Sequence, residues 1–113
     1  MKAGDIVLAR IPQADAQFKL RPALVLCLLP PFADFLVCGV STQLRHEVEG
    51  FDEIVVPADP DFPTSGLRHG SLIRLGFLNA IPATSVAGVL GSIGAPRLYR
   101  LRHALANHLQ SQS

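Results

Sequence analysis

Two kinds of side chain in this sequence offer chemistry at one place: a guanidinium at Arg21 and neighbouring hydroxyls at Ser41 and Thr42. Arg21 precedes Pro22 and a seven-residue apolar run, 23–29, that closes at Pro30 and Pro31. Such a run, rich in Leu and Val and bounded by prolines, reads as a strand buried on both faces. Proline donates no ladder hydrogen bond, so Pro22 is expected at the first strand position with Arg21 just outside the sheet. The next apolar segment, 35–40, follows after a hairpin-sized gap. If Leu29 pairs with Asp34, an antiparallel ladder sets Arg21 opposite Thr42, with Ser41 one step away. A fork of N–H donors beside a hydroxyl can hold phosphate oxygens. Equally, Arg21 reads as a solvated cation or an ion-pair partner of Glu47 or Asp52, and Ser41 as a strand-end hydroxyl satisfying backbone.

The remaining candidates are weaker. His46, His69, His103 and His108 are scattered, and His103 and His108 lie five apart, off a shared helical face, so no metal site is expected. His46, a few residues past Ser41, is a candidate general base. Cys27 and Cys38 sit inside apolar runs with no CxxC spacing and read as small buried hydrophobes.

The elements that position these residues are mostly strands. Residues 6–11 form a β-branched first strand stopped by Pro12, and 13–20 read as a mobile loop delivering Lys19 and Arg21 beside the core, where it could close over a ligand. Strands 22–29 and 35–41 follow, then a polar stretch 42–50, a short strand 53–56 ended by Pro57, and an irregular link with a single turn near Phe62. Strand 71–78 carries one charge, Arg74, and the glycine-containing stretch 86–93 suits a last short strand or an extended crossing with close backbone contacts. Pro96 suits the first turn of a helix in which Leu98, Leu101, Leu105 and Leu109 make an apolar stripe, with Arg97, Arg100 and Arg102 elsewhere on its surface; residues 111–113 are expected to fray. The fold expected is mainly β (α+β): a small, partly open antiparallel barrel of five to seven short strands with a C-terminal helix.

With 113 residues the chain is expected to be one domain, 1–113, small enough for a partner subunit to matter. Charge is divided unevenly along it. Residues 46–61 hold six acidic groups and no Lys or Arg, and 62–113 hold five Arg and no acid, a pattern that can attract phosphate or an acidic partner. No signal-peptide or membrane-spanning run is present, so a cytoplasmic protein is expected.

Gly4-Asp5-Ile6-Val7-Leu8, Arg21-Pro22-Ala23-Leu24-Val25-Leu26, Val40-Ser41-Thr42-Gln43 and Gly66-Leu67 with Ser71-Leu72-Ile73-Arg74-Leu75, in this order and spacing, resemble the MazF/PemK family of type II toxin-antitoxin toxins. The resemblance implies an SH3-like barrel, a homodimer, a cognate antitoxin, and metal-independent, sequence-selective cleavage of single-stranded RNA to a 2′,3′-cyclic phosphate and a 5′-hydroxyl. It implies no cofactor. Arg21 matches the family's Arg-Pro arginine and Ser41 the hydroxyl residue closing its third strand, usually threonine; both are expected to be catalytic, with Lys19, Thr42, Gln43 and Arg45 binding substrate. Residues 13–20 depart from the family's Gly-Ser-Glu-like segment. That departure favours the competing expectation, a non-catalytic barrel that inhibits a protein target, as the related gyrase-poisoning toxins do.

Overall fold

A computed structural model describes residues 1–12 and 14–112. Six strands run β1 (Asp5–Pro12), β2 (Phe18–Leu29), β3 (Asp34–Ser41), β4 (Glu53–Val55), β5 (Ser71–Ile81) and β6 (Val86–Ser92), with a one-turn helix α1 (Phe62–Ser65) before β5 and a long helix α2 (Ala95–Ser111) at the end. They form one sheet in the order β4-β5-β3-β2-β1-β6, antiparallel at every junction. This is the expected mainly β architecture, an open antiparallel sheet with a C-terminal helix. Among the described residues no helix is long and apolar enough to cross a membrane.

The expected loop 13–20 is shorter than the sequence suggested. Gln13 lies outside the described residues, and residues 18–20 are already strand, paired with Arg10, Ile11 and Pro12 of β1. Pro22 is consequently the fifth residue of β2 rather than the first, opposite Leu8, and Arg21 lies inside the β1–β2 ladder opposite Ala9. The proline is tolerated because pairing of β2 with β3 begins only at Ala23, opposite Gly39. At residues 18–22 β2 has one paired neighbour, and a missing donor on the free side costs no ladder bond. β5 also runs to Ile81, and Ser111 belongs to α2 rather than to a frayed tail; Ser113 lies outside the described residues.

Side chains of β2 alternate between two apolar layers. Leu24 and Leu26 join Ile6, Ile73, Leu75 and Leu101 on the helix side, while Ala23 and Val25 join Val7, Ile11 and Val37 on the other. Burial on both faces holds for residues 23–26 but fails at Leu28, which is 48% exposed. In α2, Leu98, Leu101 and Leu105 face the sheet, whereas Leu109 is exposed and the stripe stops one turn short.

Arg97, expected on the helix surface, is buried. Its Nε and Nη2 donate to the two oxygens of Asp61 at 2.8 and 3.1 Å, Nη1 donates to Glu53 at 2.9 Å and to the Ile54 carbonyl at 3.2 Å, and Nη2 also reaches Asp59 at 3.1 Å. Arg100 binds both oxygens of Glu53 at 3.0 Å. Half of the acidic run is thereby spent inside the molecule, clamping the connection after β4 to the start of α2. The hydrogen bond from Arg97 holds the Asp61 carboxyl below its usual 3.8, in spite of burial. Burial opposes the Arg97 charge, but the hydrogen bond and field of Asp61, with Glu53 and Asp59, outweigh it and raise its affinity for the proton.

A folded value below the unfolded one means that Asp61 stabilises the fold at neutral pH and loses that contribution as pH falls through the folded value. Melting temperature should therefore fall steeply below about pH 4, and Asp61→Asn should flatten that fall. Arg97→Ala, which strips Asp59 and Asp61 of their cation and leaves Glu53 to Arg100 alone, should cost about 3 kcal/mol in urea unfolding at pH 7.

Candidate functional site

The β2–β3 hairpin carries a one-residue correction to the expected register. Pairing starts as expected, with Leu29 opposite Asp34, and holds through Cys27 opposite Leu36; it then resumes at Val25 opposite Val37, so Leu26 is an extra residue in β2. Continued past Ala23 and Gly39, this register aligns Arg21 with Ser41 rather than with Thr42. Both residues line a cleft of about 210 Å³, together with Arg74, Phe77 and Asn79.

Arg21 and Ser41 both have spare bonding capacity. The Arg21 guanidinium is exposed and makes no hydrogen bond or ion pair among the described residues, Glu47 and Asp52 included. Ser41 Oγ accepts from the Gln43 backbone N–H at 3.0 Å, the backbone role foreseen for it, which leaves the hydroxyl proton free to donate.

Arg74 and Phe77 reach the cleft through a second irregularity. β3 pairs with β5 from Phe35 opposite Ile81 to Cys38 opposite Leu78, and then jumps to Gly39 opposite Arg74, so Leu75, Gly76 and Phe77 fall out of the ladder. The Leu75 N–H donates instead to Asp52 Oδ1 at 2.9 Å, and Asp52 Oδ2 accepts from Val48 N–H at 2.9 Å. The Phe77 ring lies against the β3 backbone at Gly39, where a Cβ would stand 2.5 Å from Phe77 Cδ2. The Arg74 guanidinium sits 5.8 Å from the centre of that ring, within cation–π range.

No protein-family model and no curated protein sequence matches the chain. Its structure is similar to that of the Mycobacterium tuberculosis toxin MazF-mt6, with a TM-score of 0.69 at 21% identity, over 94% of this chain and 96% of that one. The chain has the MazF toxin fold.

On this MazF fold the other expected site residues are dispersed. Lys19 projects from the same strand as Arg21, two residues earlier and opposite Ile11, outside the cleft lining. Thr42 lines a second cleft that it shares with Ser41. Gln43 and Arg45 are exposed and bonded to each other, Arg45 Nη1 donating to Gln43 Oε1, and neither lines either cleft. His46 ends the 3-10 turn Leu44–His46 and also stands outside both. Cys38 lines the first cleft, but burial, aided by the Asp52 charge, pushes its thiol up to about 12, so it is no nucleophile at neutral pH. Both cysteines are free thiols. Arg74 was visible in the sequence as the lone charge of its strand; Phe77 and Asn79 carried no such mark.

Asp52→Ala would leave the Leu75 N–H at the bulge and the Val48 N–H in the loop before β4 without their acceptor, and should cost about 2–4 kcal/mol in urea unfolding. The same substitution should broaden or shift the NMR signals of Arg74 and Phe77 well before those of Arg21, because the bulge holds only the former pair.

Proposed function

We propose that this chain is the toxin of a toxin-antitoxin pair, a metal-independent endoribonuclease that cleaves single-stranded RNA. The observation that carries the reading is the convergence of two guanidiniums, Arg21 and Arg74, with the Ser41 hydroxyl in one cleft of a MazF fold. Fold alone would not suffice, since one fold hosts many activities.

In the proposed reaction the ribose 2′-oxygen attacks the adjacent phosphorus as its proton leaves to a base. A 2′-O–P bond forms, the P–5′-O bond breaks, and the departing oxygen takes up a proton. The products are a 2′,3′-cyclic phosphate and a 5′-hydroxyl. Negative charge gathers on the non-bridging oxygens, and Arg21, Arg74 and Ser41 supply donors for it. Arg21 is assigned electrostatic stabilisation of that charge first, and proton donation to the departing oxygen second.

The partners that accompany this reading are a second copy of the chain and an antitoxin segment, acidic and apolar, that occupies phosphate positions with carboxylates. Arg97 and Arg100 are satisfied internally, so the charge that such partners would meet at or beside the two clefts comes from Lys19, Arg21, Arg68 and Arg74. The compartment proposed is the cytoplasm.

Arg21→Ala should lower RNA cleavage by about 10²–10³-fold and relieve growth inhibition on expression, with melting temperature unchanged because the side chain is exposed. Ser41→Ala should also impair cleavage, whereas Ser41→Thr should retain it. Full activity in folded Arg21→Ala protein would contradict the assignment.

A further inference from the structure

We propose that the second cleft, on the far side of Ser41, is a subsite for one unstacked base of the RNA, next to the scissile phosphate; this rests on the function proposed above. The cleft measures about 240 Å³ and shares Pro22, Val40 and Ser41 with the arginine cleft, so a strand whose phosphate lies at Ser41 passes directly into it. Its walls are apolar, Leu67 and Leu90, and its rim carries Thr42, Arg68 and His69. Flat apolar space edged by a hydroxyl, an imidazole and a guanidinium suits a nucleobase with its polar edge outward and its own phosphate near Arg68.

The walls are fixed before any ligand arrives. Gly66 ends α1 with φ +76°, and a Cβ there would meet the Leu90 carbonyl at 2.1 Å; one on Gly91 would meet the Thr64 carbonyl at 2.3 Å. α1 and β6 therefore touch backbone to backbone, and Thr64 Oγ1 adds a bond to the Ser92 carbonyl at 3.2 Å. The buried Ser65 hydroxyl donates to the Phe62 carbonyl at 2.6 Å and accepts from Leu67 N–H at 3.1 Å, pinning the turn that bears Leu67. Ser71 Oγ donates to the His69 carbonyl at 2.8 Å and fixes the opposite rim. A cleft built this way spends little ordering energy on binding. Apart from Ser71, which opens β5, these residues come from α1, the link to β5 and the edge strand β6, none of which contributes to the arginine cleft.

An uncleavable probe separates this inference from the catalytic reading. Titration of the protein with a random-sequence 2′-O-methyl hexanucleotide should shift the amide NMR signals of Leu67, His69 and Leu90 along with those of Arg21 and Ser41. Leu90→Trp, which fills the cleft from an exposed position, should abolish the shifts at Leu67 and His69, preserve those at Arg21, and weaken binding about tenfold. Arg68→Ala, also at an exposed position, should lower the slope of log affinity against log salt by about 0.7. Shifts confined to Arg21 and Ser41, with Leu90→Trp and Arg68→Ala binding as tightly as the parent, would overturn the subsite while leaving the nuclease reading intact. Silence at both clefts would overturn both, and shifts at Leu67 and Leu90 produced only by an acidic peptide would reassign the cleft to a protein partner.

Discussion

The Asp52 carboxylate takes the N–H of Leu75 with one oxygen and that of Val48 with the other, and the geometry of the site depends on that pair of bonds. Of the three residues that leave the ladder only Leu75 is buried, and its N–H needs another acceptor because an unsatisfied buried donor costs about 1–3 kcal/mol. With the Leu75 N–H bound by Asp52, β5 can bulge away from β3 and lay Phe77 on Gly39, with the Arg74 guanidinium over its ring in the cleft that Arg21 also lines. The smaller bulge at Leu26 does the matching work on the other side, advancing β2 by one residue so that Arg21 meets Ser41. Two interruptions of regular pairing thus converge on one cleft, in keeping with the tendency of bulges to re-aim side chains beside functional sites.

The distribution of charge follows from the same economy. Glu53, Asp59 and Asp61 are consumed by Arg97 and Arg100, which fastens α2 to the sheet and removes half of the acidic run from the surface. The arginines left without carboxylate partners include Arg21 and Arg74 in the first cleft and Arg68 at the second. An overall charge near neutral therefore conceals a local concentration of unpaired cations, the arrangement that attracts phosphate.

Much of the fold was legible because its signals are local. Apolar runs, three of them closed by a proline, gave the cores of all six strands, Pro96 and the leucine spacing gave α2, and the short gap after Leu29 gave the hairpin partner. What stayed hidden was non-local. Leu26 is an aliphatic among aliphatics, so nothing in the run marks it as the extra residue. Residues 18–20 are exposed and paired on one side only, so they read as loop. Arg97 looks like any helix-surface arginine until carboxylates 36 to 44 positions away fold against it. Arg21 and Ser41 were legible through the family resemblance and the hairpin register together. Arg74 needed the bulge; Gln43, expected from the family's Thr-Gln ending, and Arg45 bond to each other outside the cleft.

The central claim is that a cleft of two guanidiniums and a hydroxyl cleaves RNA by internal transfer, and the ends of the products test it most directly. Purified protein would be incubated with defined single-stranded RNAs of varied sequence in excess EDTA, and the fragment ends read by mass spectrometry. Sequence-selective cuts bearing 2′,3′-cyclic phosphates and 5′-hydroxyls are expected. Intact RNA across all sequences, from protein that still arrests growth, would contradict it and point to inhibition of a protein target by a non-catalytic barrel.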